Sequence, residues 1–286
     1  MITFNDDTVE TGKAIFLDNL TGCNASHFNA GANDTIGATL LNPTTGAPPN
    51  APLVPVPGAN KSSHTDAELL RQDLAPIVSP VVIPQDPGDG VPGGATREGG
   101  FNVQSIIEAP RKQEFFHNGA FTAIEDAASF YFTPRFDSAQ SSARIRNVLR
   151  GGKNGPATLA ALAVKYPANP PLDTLGFFLR ALNTVYGIAD CERLVQDTID
   201  RINLHLPTNV PVLNCTTNLN DVNRVIAGAH VTVPAQYLNV QGQVGSLASQ
   251  LKHAANNRNK KKLAEILDTL KGMRQSIATV TPDLPE

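Results

Sequence analysis

The chain has 286 residues, 41% of them apolar and only 17% charged, with a formal net charge of −3. That length can bury one large core or two ordinary ones, and so small a net charge gives no long-range field that would gather nucleic acid or an anionic membrane. No run approaches the eighteen or so apolar residues of a membrane-spanning helix, and the acidic, polar residues 1–11 lack the basic and apolar regions of a secretory signal.

The first predicted element covers residues 8–20. Val9, Ala14, Ile15, Phe16 and Leu17 supply its apolar residues, with Asp7 or Thr11 available as N-cap, and it reads as a short helix. This helix leads into Cys23-Asn24-Ala25-Ser26-His27, which has the outline of a c-type haem attachment site. In such a site two cysteines, two residues apart, bond the porphyrin vinyl groups, and the histidine that follows ligates the iron. Cys23 and His27 hold their places, but Ser26 stands where the second cysteine belongs, and a hydroxyl forms no thioether. The pentapeptide therefore predicts either a haem held by one bond or a haem-free relic. Of the three cysteines, Cys191 and Cys215 then remain, as a disulfide pair suited to an oxidising compartment or as two buried thiols.

Residues 29–41 are rich in Gly, Asn and Thr and read as a loop. From 43 to 100, closely spaced Pro and Gly predict extended or irregular chain lying over the surface as a loop insertion, with one helical island at 65–74. His64 in this insertion reads as a solvated loop residue. Between 101 and 136 the pattern sharpens. Phe115-Phe116-His117-Asn118-Gly119 precedes a helix start at which Thr122 is the expected cap and Glu125 closes a capping box. Ile124, Ala127, Ala128 and Tyr131 share one helical face. Arg135, Arg144, Arg146 and Arg150 form a cationic stretch that reads first as a solvated face, and otherwise as a partner for acidic groups.

Short helices are expected at 156–164 and 172–186, the second with Leu172, Leu175, Phe178, Leu179 and Leu182 on one side. From 187 onward the pattern predicts an α-helical bundle: helices at 189–206, 218–229, 235–256 and 259–273, with a loop at 207–217. Lys260-Lys261-Lys262 opens the last of these. Cations there oppose the helix dipole, so the cluster is expected in solvent or against a partner. His205, His230 and His253 have no metal-ligand spacing, and no phosphate loop, zinc pair or nucleophile elbow is present.

Taken in order, Gly12-Lys13-Ala14-Ile15-Phe16, the Cys23–His27 segment, the Phe115–Gly119 turn, the Ile124-Glu125-Asp126-Ala127 helix and Phe178-Leu179-Arg180-Ala181-Leu182 resemble the second haem domain of the bacterial di-haem cytochrome c peroxidase and MauG family. The resemblance runs from about residue 11 to 184. It implies a cytochrome c-like haem domain over 1–186, within which the 43–100 loop insertion falls; with the helical C-terminal extension read from the pattern over 187–286, the chain is expected to be mainly α. It implies haem c held by Cys23, His27 as proximal iron ligand, and Tyr131 in the place of the opposite axial ligand. A methionine occupies that place in the peroxidases, and here Met1 and Met273 lie far from it.

His117 takes a structural or haem-supporting position in the turn. The family's propionate-holding arginine falls on Ile106-Ile107, leaving Arg111 or Lys112 as substitutes. Calcium is implied by the resemblance alone. So are an exported, periplasmic setting and a redox partner protein or second haem domain. The activity expected is electron transfer or peroxidase-like oxidation. The alternatives are a haem-less cytochrome-like interaction module, and one half of a split di-haem enzyme, because the family's first haem domain has no counterpart here.

Overall fold

A computed structural model describes residues 2–23, 115, 121–138 and 150–280. Among these the chain is mainly helical, with eight helices and one two-stranded antiparallel sheet. The 43–100 insertion, His64 and the 65–74 island lie outside the described residues. The chain divides into two compact units, one made of 1–12 with 176–286 and the other of 13–175. The sequence reading placed its boundary at 186/187.

In the first unit, β1 (Ile2–Phe4) pairs antiparallel with β2 (Ala278–Val280) in the register Ile2↔Val280, Thr3↔Thr279, Phe4↔Ala278. Four long helices follow: α5 (Pro171–Asn203, from residue 176 in this unit), α6 (Asn209–Ala227), α7 (Ala235–Asn256) and α8 (Lys260–Ile277). Connections this short join antiparallel neighbours in helical bundles. On α8 the buried residues Leu263, Ile266, Leu267, Leu270, Met273 and Ile277 recur every three or four positions. Such spacing covers one helical face, and Val240, Val244 and Leu251 do the same for α7.

Three links tie α5 to the other helices. Cys191 and Cys215 form a disulfide between α5 and α6, with Cα atoms 4.6 Å apart. Glu192 takes both Nε and Nη2 of Arg274 on α8, the latter at 2.9 Å. Arg180 is buried and donates to the Val225 carbonyl at 2.9 Å, placing a cation on the last turn of α6, where carbonyls are left without helical donors.

Two expectations are corrected here. Helices 172–186 and 189–206 are one continuous helix, α5. Gly187 does not break it. A Cβ at that position would stand 3.0 Å from Val222 Cγ2, so the glycine serves close approach of α5 to α6. Likewise 209–217 is helix, not loop. Pro211 stands in the first turn of α6, where its missing N–H would have had no intrahelical acceptor.

Both α5 and α7 end in a Schellman arrangement. Leu206 N–H bonds Arg201 O while His205 N–H bonds Ile202 O, and Asn259 N–H bonds Ala254 O while Arg258 N–H bonds Ala255 O. The left-handed residues are His205 (φ 57°) and Arg258 (φ 51°). Glycine is usual there, and a side chain costs roughly 1 kcal/mol.

The second unit contains the C-terminal part of α1 (Asp7–Leu17), then α2 (Ile124–Phe130), α3 (Pro134–Ser138) and α4 (Gly155–Lys165). The capping box expected at Thr122 does not form. The helix starts at Ile124 after an extended Ala123, no side chain caps it, and Glu125 is buried. Burial of Ile124, Ala127 and Phe130 places this short helix, which fits the general dominance of packing over capping in helices this brief. Among the described residues no helix is long and apolar enough to cross a membrane.

Candidate functional site

Cys23 is delivered by a well-tied segment. After α1 stops at Leu17, Asp18 accepts hydrogen bonds from Leu20 N–H at 2.9 Å, Lys165 Nζ at 2.6 Å and Tyr166 Oη at 2.9 Å. Burial works to raise the Asp18 pKa, but these donors outweigh it and hold the carboxyl below its usual value. Thr21 is buried, its hydroxyl shared between Asp18 O at 2.8 Å and Ile15 O at 3.0 Å. Gly22 then takes φ 70°, a left-handed turn natural to glycine. The Cys23 N–H donates back to Thr21 Oγ1 at 3.3 Å.

Cys23 is half-buried and outside any disulfide. Burial pushes its thiol pKa up, while Thr21 and the Arg150 charge pull the other way. Arg150 is the group that gives this place its character. It is only 1% exposed, so the solvated face expected of it is not what the fold provides. Its guanidinium lies 4.6 Å from the Phe132 ring centroid and 5.5 Å from that of Phe136. Burial pulls its pKa down, and Asp137 and the neighbouring Cys23 work against that pull. Its Nε and Nη1 have no hydrogen-bond partner among the described residues. A buried guanidinium N–H without an acceptor is costly and invites an anion with oxygen acceptors.

The cradle around Arg150 is built from neighbouring elements. Phe136 packs against Tyr131 at 5.1 Å and Phe130 at 6.1 Å, and Phe130 packs against Phe121 at 5.8 Å. Phe115 N–H bonds Phe121 O at 2.8 Å, joining the residues on either side of 116–120. Asp137 Oδ2 accepts from Gly155 N–H at 2.6 Å, at the N-terminus of α4, where the helix dipole favours a carboxylate. Gly155 must be glycine: a Cβ there would sit 2.5 Å from the Phe132 carbonyl carbon.

Of the residues expected to form the site, Cys23 and Tyr131 fall in the same unit, and Tyr131 packs against Phe136 beside Arg150. Tyr131 is the C-cap of α2 and half-buried. Its ring is part of the aromatic packing. His27, His117, Arg111, Ser26 and Lys112 lie outside the described residues, as do Arg144 and Arg146. Among the described residues no group of three or more His, Cys, Asp or Glu could hold a metal ion. Arg150 was legible only as one of four arginines. Its burial follows from the phenylalanines of 130–136, which are adjacent in space rather than in sequence.

In the comparisons with known proteins, no family model matched the chain, and neither did any curated protein or solved structure. What the arrangement offers chemically is a free thiol for covalent attachment, a buried cation for a carboxylate, and an aromatic wall. A haem has matching parts: a vinyl group for the thiol and propionates for the guanidinium. Cys23 and Arg150 therefore fit such a group, on the observation that Arg150 Nε and Nη1 lack acceptors among the described residues.

Proposed function

We propose that this chain is a c-type haem-binding redox protein similar to the second domain of the di-haem cytochrome c peroxidase and MauG family. Cys23 would carry the haem on a single thioether, His27 would serve as proximal ligand, and Tyr131 would stand on the opposite side. The bound haem supplies one-electron redox chemistry at iron. The chain's own residues attach it, hold its carboxylates and exclude water. Cys23 would hold the haem by adding its S–H across a vinyl group, with the C–S bond on one vinyl carbon and the hydrogen on the other, so that nothing is lost.

The observation that carries this reading is the buried guanidinium of Arg150, whose Nε and Nη1 lack acceptors among the described residues, in the same compact unit as the free Cys23 thiol. The aromatic cluster holding Tyr131 adds to it. The reading brings with it an exported setting, where c-type haem is attached, and a redox partner protein or second haem domain.

Intact mass of protein made in a host with c-type maturation tests it. The chain should gain the whole mass of haem, show a Soret band, and lose both in Cys23→Ala. A pyridine haemochrome spectrum should report one thioether. A folded chain without haem under these conditions refutes the proposal and leaves the haem-less interaction module.

A further inference from the structure

One end of the four-helix unit differs from the rest of its surface. The turn from α5 into α6 exposes Leu204 (68%), Leu206 (44%), Val210 (59%) and Leu213 (56%). Residues 203–220 contain no Asp, Glu, Lys or Arg. The turn from α7 into α8 lies directly against it: Arg258 Nη2 donates to Leu206 O at 3.0 Å, and Lys260 Nζ donates to Asn203 Oδ1 at 3.0 Å. This second turn carries Arg258, Lys260, Lys261 and Lys262. Among the described residues only Lys262 of these meets a carboxylate, that of Glu265 at 3.2 Å. Exposed aliphatic side chains and uncompensated cations thus share one tip.

The backbone adds a separate observation. His205 and Arg258, one in each turn, take the left-handed conformation where glycine is least strained. The chain accepts strain at both turns, and at Arg258 it thereby keeps a cation at the tip.

We propose that this tip is a docking surface for an anionic lipid bilayer, with the Leu204–Leu213 turn entering the headgroup region and the Arg258–Lys262 turn meeting lipid phosphates. Its composition favours lipid over protein. The centres of protein interfaces are enriched in aromatics and depleted in lysine, whereas this tip is aliphatic, holds three lysines and has no aromatic residue. Apolar side chains bordered by Lys and Arg are the usual features of interfacial membrane binding. The net charge of −3 hides the tip because it averages over the whole chain. The inference is independent of haem.

Co-sedimentation of the full chain with vesicles of phosphatidylcholine alone, and with added phosphatidylglycerol, tests it. Binding is expected only with phosphatidylglycerol, and it should weaken as salt is raised. Each lysine near an anionic surface is worth about five-fold in affinity, so Lys260→Glu with Lys261→Glu should weaken binding by roughly 25-fold or more. Leu204→Ser with Leu213→Ser, both exposed and so tolerated by the fold, should weaken it by roughly ten-fold. Circular dichroism verifies that both variants keep their helix. No binding to phosphatidylglycerol vesicles, equal binding to neutral ones, or binding unmoved by either pair of substitutions overturns the proposal. So does charge-dependent capture of an acidic protein without any vesicle binding.

Discussion

Replacing Arg150 by methionine separates a structural arginine from a ligand-binding one. The guanidinium is 1% exposed, and two of its nitrogens lack acceptors among the described residues. Each unmet buried N–H costs ~1–3 kcal/mol, or about 4 for the two. The contacts with Phe132 and Phe136 return ~1–2 kcal/mol each when desolvated, or about 3 together. Asp137 keeps its bond from Gly155 N–H without the arginine. Methionine fills much of the same space with no polar atom. Haem-free Arg150→Met should therefore lie within about 1 kcal/mol of the parent, because losing the charge attraction to Asp137 offsets the relief of the two N–H groups. Urea unfolding of both haem-free proteins, followed by circular dichroism with matching m values, measures this. Carrying haem, the variant should show a lower midpoint potential than the parent, because a cation has been removed from beside the bound group. Destabilisation of the haem-free chain by about 2 kcal/mol or more would refute the reasoning. Arg150 would then belong to the fold, and the anion argument would fall with it.

Two further predictions concern the scaffold. Cys191 and Cys215 close a loop of sequence separation 24, for which the chain-entropy estimate is about 3.5 kcal/mol. Cys191→Ala with Cys215→Ala should lower urea-derived stability by about that amount, and no measurable loss would show that the bond leaves the unfolded chain unconstrained. Asp18 has a depressed pKa through Lys165, Leu20 and Tyr166, burial notwithstanding. Its contribution is therefore present above the ordinary aspartate value of 3.8 and lost as pH falls through the lower, folded-state value. Asp18→Asn should cost about 1 kcal/mol at pH 7, discounted for the exposed Lys165. The gap between parent and variant should close in acid, and a gap independent of pH would exclude the charge as its cause.

Local pattern was enough for much of the helical framework. The period of about 3.6 residues marks α7 at its true bounds and α4 and α8 within a few residues, because a helix that buries one face must repeat its apolar residues at that spacing. Cysteine arithmetic narrowed Cys191 and Cys215 to a pair or two thiols; only their approach to a Cα separation of 4.6 Å makes the bond. Local rules failed where long-range packing decides. The pattern separates 172–186 from 189–206, yet they are one helix, with Gly187 between them set for close approach to Val222. The Thr122–Glu125 box yields to burial of α2.

The same limit governs the site. Sequence alone marks Cys23 as an attachment residue and Tyr131 as its candidate counterpart. That Arg150, 127 positions beyond Cys23 in the chain, comes within charge range of its thiol is decided by tertiary structure, because phenylalanine rings from α3 and the turn before it bury the arginine there. A buried charge is expensive wherever it stands, and nothing in the residues flanking Arg150 records that it has been buried.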